Sequence, residues 1–160
     1  MTPEQSLAAS AVHAWKLNID RADKVFSGLT DEQLLTAVAP GRNRLVYLWG
    51  HLVAVHDAML PLLGIGTRLH PELDAVFLTE ADKAGATLPS AAELKGAWTD
   101  VNARLLAAFE RFTPADWAQK HTAVSEADFA INPLRNRLSV LLSRTGHVAY
   151  HLGQCALAPR

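Results

Sequence analysis

Apolar residues in this sequence recur three and four positions apart in four separate stretches, a period that ties each stretch to an α-helix with one buried face. The stripes read Leu7, Val12, Trp15, Ile19 and Val25; Leu45, Leu48, Leu52, Val55 and Met59; Leu94, Trp98, Val101, Leu105 and Ala108; and Leu138, Leu141, Thr145, Val148 and Leu152. No alternating strand pattern of any length and no internal repeat accompanies them. Four amphipathic helices of about twenty residues hide their stripes most economically by turning them inward. The spacing therefore predicts an all-α fold, an antiparallel four-helix bundle. With 160 residues the chain is the size of one domain, expected to span 1–160.

Helix starts are signalled where an oxygen side chain precedes proline, or an acid or amide three residues on, because those groups satisfy the free N–H groups of a first turn. Thr2-Pro3-Glu4-Gln5 opens the first long helix, which Gly28 is expected to stop. Ser90-Ala91-Ala92-Glu93 opens the third, and Asn132-Pro133 precedes the last. Gly41-Arg42-Asn43 introduces the second, over about 44–63, with the least chemical support. Thr30-Asp31-Glu32-Gln33 and Thr113-Pro114-Ala115-Asp116 mark short helical pieces in the connections. Residues 64–89 carry Gly64, Gly66, Pro71, Gly85 and Pro89, so they read as a long crossover with a helical turn or two around 72–83.

Charge narrows the partners. Fifteen Lys and Arg against sixteen Asp and Glu leave no positive excess to neutralise phosphates or coat an anionic membrane. Nucleic acid and membrane are both poor expectations. No run of about 18 to 20 consecutive apolar residues is present, and the first twenty residues carry Glu4, His13, Lys16 and Asp20 instead of an apolar signal segment. The expected location is the cytoplasm. The lone Cys155 forms no internal disulfide and gives no multi-sulfur metal site.

Seven histidines remain to be explained. His147 and His151 stand four apart on the last helix, one turn above each other on the same face, so a rigid backbone brings two imidazoles toward one ion at little ordering cost. Arg144 and Gln154 extend that row beside the buried stripe. A third ligand must come from another helix, and His51 in Trp49-Gly50-His51-Leu52 lies next to the Leu48 and Leu52 stripe in an apolar surround. His56 is five residues on and about 140° round the helix, so it is expected to line the wall of the same cavity and not to share the ion. The competing account is plain packing: an i,i+4 histidine pair without an intervening Glu is only modestly specific. Trp15, Trp49, Trp98, Trp117 and Cys155 read as core.

The pairing of Trp49-Gly50-His51-Leu52 with Gly146-His147-Val148-Ala149-Tyr150-His151-Leu152-Gly153-Gln154 resembles the DinB/YfiT-like family of metalloenzymes. The likeness extends to Trp15, to Leu29-Thr30-Asp31-Glu32-Gln33-Leu34 and to Pro40-Gly41-Arg42-Asn43. It implies an up-down-down-up order for the bundle, a homodimer, and nickel or zinc on three histidines. Carried over residue by residue, the family's ligands fall on His51, His147 and His151. Three protein ligands leave a position open, the mark of a catalytic site, where water or a low-molecular-weight thiol is activated. The expected function is a divalent-metal-dependent enzyme acting on a small molecule, either a thiol-dependent transferase or a hydrolase. His56, Arg144 and Tyr150 are the candidates for proton shuttle or anion holder. Alternatives are a non-catalytic metal or small-ligand binding protein, and a structural role for the histidines at a dimer interface.

Overall fold

Oxygen side chains start most of the helices. In the computed structural model, which describes residues 1–82 and 87–159, the α-helices run in chain order as α1 (Pro3–Phe26), α2 (Asp31–Leu34), α3 (Leu45–Leu62), α4 (Ala91–Phe109), α5 (Pro114–Ala118), α6 (Glu126–Ile131) and α7 (Arg137–Cys155). Thr2, Thr30, Ser90 and Thr113 each form a reciprocal capping box with the residue three positions on. The fold is all-α: no strand occurs among the described residues, only the isolated bridges Ala37 to Arg44 and Lys120 to Asn136.

Several boundaries depart from the sequence expectation for local reasons. The last helix starts at Arg137, not after Asn132: Asn136 caps it by accepting from the Ser139 N–H, and Asn132 instead closes α6. Helix α6 itself was not expected, although Ser125 with Asp128 three residues on has the form of a cap, and Ser125 does accept from the Asp128 N–H. Helix α1, by contrast, ends where expected: Phe26 is its last residue, Ser27 caps it and Gly28 follows directly. Helix α3 lacks a side-chain cap; the Arg44 N–H donates to Asp82 Oδ2 at 2.7 Å, and the Arg44 guanidinium pairs with the same carboxylate.

Packing also differs from four one-sided stripes. Helix α1 lies against α7, while α3 contacts both α4 and α7. The buried face of α1 is Ala8, Ala11, Trp15, Asn18, Ala22 and Phe26, and Leu7 is 70% exposed. The expected α4 stripe, Leu94 to Ala108, is buried throughout. Helix α3 is buried on nearly every side, from Val46 and Trp49 round to Val53 and Leu60, because α4, α7 and the crossover all close on it. By length and composition it is apolar enough to cross a membrane, yet 67% of that window is buried against the rest of the protein. All four tryptophans are core residues, as the sequence suggested.

The crossover is anchored, not slack. Gly64 turns the chain out of α3 with φ +68°, in the left-handed region that favours glycine. A 3-10 turn at Pro71–Leu73 and a π-helical turn at Ala75–Thr79 follow, shorter than the expected helix; its end at Lys83, and Gly85, lie outside the described residues. Asp57 of α3, fully buried, accepts from the Leu69 and His70 N–H groups and from Arg68 Nε at 2.8 to 2.9 Å. Arg68 in turn forks onto both oxygens of Asp74. This pins the chain so that Phe77 reaches the middle of α3.

Candidate metal centre

Phe77 explains the glycine beside His51. A Cβ added to Gly50 would overlap the Phe77 ring, so only a residue without one lets the crossover seat against α3. Seated there, the Phe77 carbonyl lies 2.9 Å from His51 Nδ1. A carbonyl only accepts, so Nδ1 carries the proton and the His51 Nε2 lone pair points across to α7. Tyr47 stacks on the His51 ring, and its hydroxyl donates to the Glu80 carbonyl at 2.6 Å.

On α7 the same logic repeats. His151 Nδ1 lies 2.7 Å from Gln154 Oε1, which fixes its proton at Nδ1 and frees Nε2. Gln154 is held in turn by its own donation to the Tyr150 hydroxyl at 3.2 Å. His147 sits between the other two: its Nε2 is 3.3 Å from His51 Nε2 and 2.9 Å from His151 Nε2. A single Nε2–H could serve only one of these neighbours, so as protein alone the cluster leaves lone pairs facing one another. His147 Nδ1 is buried with no partner.

Burial sets the protonation. It pushes His147 down to about 4, helped by the neighbouring His151, His51 and Arg144. Burial likewise lowers His151, against the opposing hydrogen bond from Gln154. Both rings are therefore neutral near pH 7, the form in which imidazole ligates metals. The three residues offer nitrogens that all lie within 4.8 Å of one another. Nitrogens bound to one ion at about 2.0 to 2.1 Å, and about 90 to 110° apart, stand about 2.9 to 3.4 Å from each other. Both measured separations fall in that interval, so the donor set can hold a metal ion.

A family model of the DinB superfamily matches residues 14–155. The chain belongs to the DinB superfamily. No curated protein matches it. In this DinB-superfamily chain the histidines separate into a cluster and its surroundings. His51, His147 and His151 come together; His56 does not join them. It is fully buried between the rings of Trp15 and Trp98, at centroid distances of 4.6 and 5.0 Å, with Nδ1 2.9 Å from Asn102 Oδ1. Burial pushes it down to about 3, offset in part by Asn102, and the nearby His147, Arg144 and His51 add to the shift. Its Nε2 has no partner.

The two remaining candidates take different places. Tyr150 is 63% exposed and touches the centre only through Gln154 and the edge of the His151 ring. Arg144, one turn before His147, is half-buried with an unpartnered buried Nε, and no carboxylate pairs with it among the described residues. No carboxylate figures among the groups acting on His56, His147 or His151 either. Cys155 is buried and its thiol is pushed up to about 12, so it stays protonated and out of the donor set. Sequence reasoning missed the Phe77 carbonyl and Asn102; neither carries a local signal, since both reach the site through tertiary packing.

Proposed function

We infer that this chain is a divalent-metal-dependent enzyme acting on a small molecule. The observation that carries this is the convergence of three imidazole Nε2 atoms whose proton positions are fixed from behind, by the Phe77 carbonyl for His51 and by Gln154 for His151. Carboxylate, carbonyl and amide partners of this kind orient metal-ligating histidines and raise their basicity. His51, His147 and His151 would hold the ion, and an all-imidazole set suits zinc or nickel. Such an ion supplies Lewis acidity and lowers the pKa of water or a thiol.

The rest is the work of the chain itself. Arg144 brings a positive charge that pairs with no carboxylate among the described residues to the same side of α7, so the site favours an anionic reactant such as a thiolate or a carboxylate. His56, fully buried between Trp15 and Trp98 and pushed down to about 3 by that burial, stays neutral and packs beside the cluster without serving as its base. Either a thiol-dependent transfer or a hydrolysis fits these groups. The up-down-down-up bundle, the homodimer and the cytoplasmic location belong to the same proposal, supported by the family resemblance and by charge and patterning.

Thiol-conjugation assays and ester and amide hydrolysis assays on zinc- and nickel-loaded protein test the reading. Activity that disappears in His51→Ala, while circular dichroism keeps its helical signal, is the expected result. Activity that survives this change overturns it. Ligand-dependent thermal stabilisation with no turnover would favour the non-catalytic binding protein.

A further inference from the structure

A cavity lies beside the first turns of α7. Its volume is about 360 Å³, within the range that takes a small ligand. His121, Arg135, Asn136, Ser139, Ser143 and Arg144 line it, and no acidic residue does. The wall is built, not incidental. The Thr122 N–H donates to the Leu62 carbonyl at 3.0 Å and the Arg137 N–H to the Gln119 carbonyl at 2.9 Å, which ties the segment before α6 to α3 and to the start of α7. Lys120 leaves the cavity's account, since its Nζ donates to the Val124 carbonyl and pairs with Glu126.

Two polar atoms of the lining are buried without partners, His121 Nδ1 and Arg144 Nε. Arg135 has only a long contact of 3.8 Å to Asp128, between two well-exposed side chains. Two cations and two hydroxyls around one hollow, with no carboxylate in its lining and only the long Asp128 contact to Arg135 outside it, form an environment suited to an oxyanion. Arg144 also connects the hollow to the histidines: it lies three residues before His147, about 4.5 Å along the helix axis at about 1.5 Å per residue.

We propose that this cavity is an oxyanion subsite, in which Arg144 and Arg135 hold a carboxylate or phosphate group of the small molecule whose reacting end lies at His51, His147 and His151. The link to the histidines rests on the metal-dependent reading above; the anion site itself does not. Ser139 and Ser143, one turn apart on α7, supply hydroxyl donors, and His121 adds an imidazole to the lining. The proposal makes the substrate class a small organic acid or phosphate ester.

The test uses the full chain, freed of metal with a chelator and labelled with nitrogen-15, titrated separately with inorganic phosphate and with acetate. The amide signals of Ser139 and Ser143 report the cavity. The expected result is a saturable shift centred on them for at least one oxyanion, the tighter of the two identifying phosphate or carboxylate. Arg144→Gln should weaken that binding about tenfold, as loss of a charge-assisted pair does, and the more exposed Arg135→Gln should weaken it less. Shifts that never saturate, or an affinity unchanged in both variants, would overturn the proposal. Zinc uptake is measured on the same samples. A chain that takes up zinc but neither anion sinks the subsite alone; one that saturates with an anion but takes no zinc keeps the subsite and sinks the metal reading.

Discussion

Helix α3 carries two buried polar clusters that differ in how their atoms are satisfied. At Asp57 every oxygen is spoken for: Arg68, Leu69 and His70 donate to it, and Asp74 neutralises the rest of the guanidinium. At His51 the Nδ1 side is satisfied, while the Nε2 atoms of three rings crowd together and His147 Nδ1 has nothing to bond. A fully paired buried network has nothing left to offer a ligand, so the Asp57 cluster is there to hold the crossover. Polar atoms left convergent and unpaired carry a desolvation cost with no return in the protein alone, which is what a binding site looks like before its ligand is counted.

The contrast breaks most visibly at Asp57. Asp57→Ala strands a half-buried guanidinium and two backbone N–H groups, so urea unfolding should record a loss of about 3 to 5 kcal/mol, and zinc affinity should fall by up to about tenfold as the crossover that carries the Phe77 carbonyl to His51 loses its anchor. Acid tests the other cluster's surroundings. His56 is lowered to about 3, so between its unfolded value near 6.5 and that point the unfolded chain binds the extra proton and stability falls as pH falls. The full displacement is worth on the order of 4 to 5 kcal/mol at the acid end. Thermal melts of metal-free protein from pH 7 to pH 3 should show this fall, and His56→Gln should make it shallower while the share from His147, lowered to about 4, remains.

Within the histidine cluster the effects move from stability to affinity. His147→Ala should lower zinc affinity by more than about a hundredfold, beyond the range for outer-shell partners, while calorimetric melting of the metal-free chain changes by about 1 kcal/mol. Gly50→Ala bridges the two kinds of loss. Displacing the Phe77 ring should cost about 1 to 3 kcal/mol in chemical denaturation, and moving the Phe77 carbonyl off His51 should weaken zinc about tenfold. Gln154→Ala is the mildest: about tenfold in zinc affinity through His151, with stability within about 0.5 kcal/mol in the same denaturation assay.

Much of this was legible from residue spacing, and the parts that were not share a cause. The i,i+4 pair on α7 is a local fact that helix geometry carries to one face, whereas His51, read from its apolar run and the family resemblance, meets that face only through the packing of α3 on α7. The helix starts at Thr2 and Ser90 were equally local, because a capping box is written within four residues. The α1 stripe was legible only in part: Trp15 is buried and Val12, Ile19 and Val25 pack against the core, but Leu7 is exposed, and the alanines that fill the closest contacts count little in an apolar pattern. Asp57 with Arg68, and Gly50 with Phe77, are pairings across a crossover whose path no short window encodes. Arg144 shows the same limit: its place in the histidine row is local, but whether a carboxylate meets it is settled by packing, and among the described residues none pairs with it.

The proposed chemistry depends on His51, His147 and His151 sharing a single ion. Calorimetric titration of zinc into the chelator-treated chain, side by side with a His51→Ala variant of matching circular dichroism, addresses it most directly. One equivalent of zinc taken up tightly by the parent chain, and none held by the variant, is the predicted result. Uptake below about a tenth of an equivalent by the parent, for a site whose donors are already neutral and aligned, or the same uptake by both chains, would contradict it.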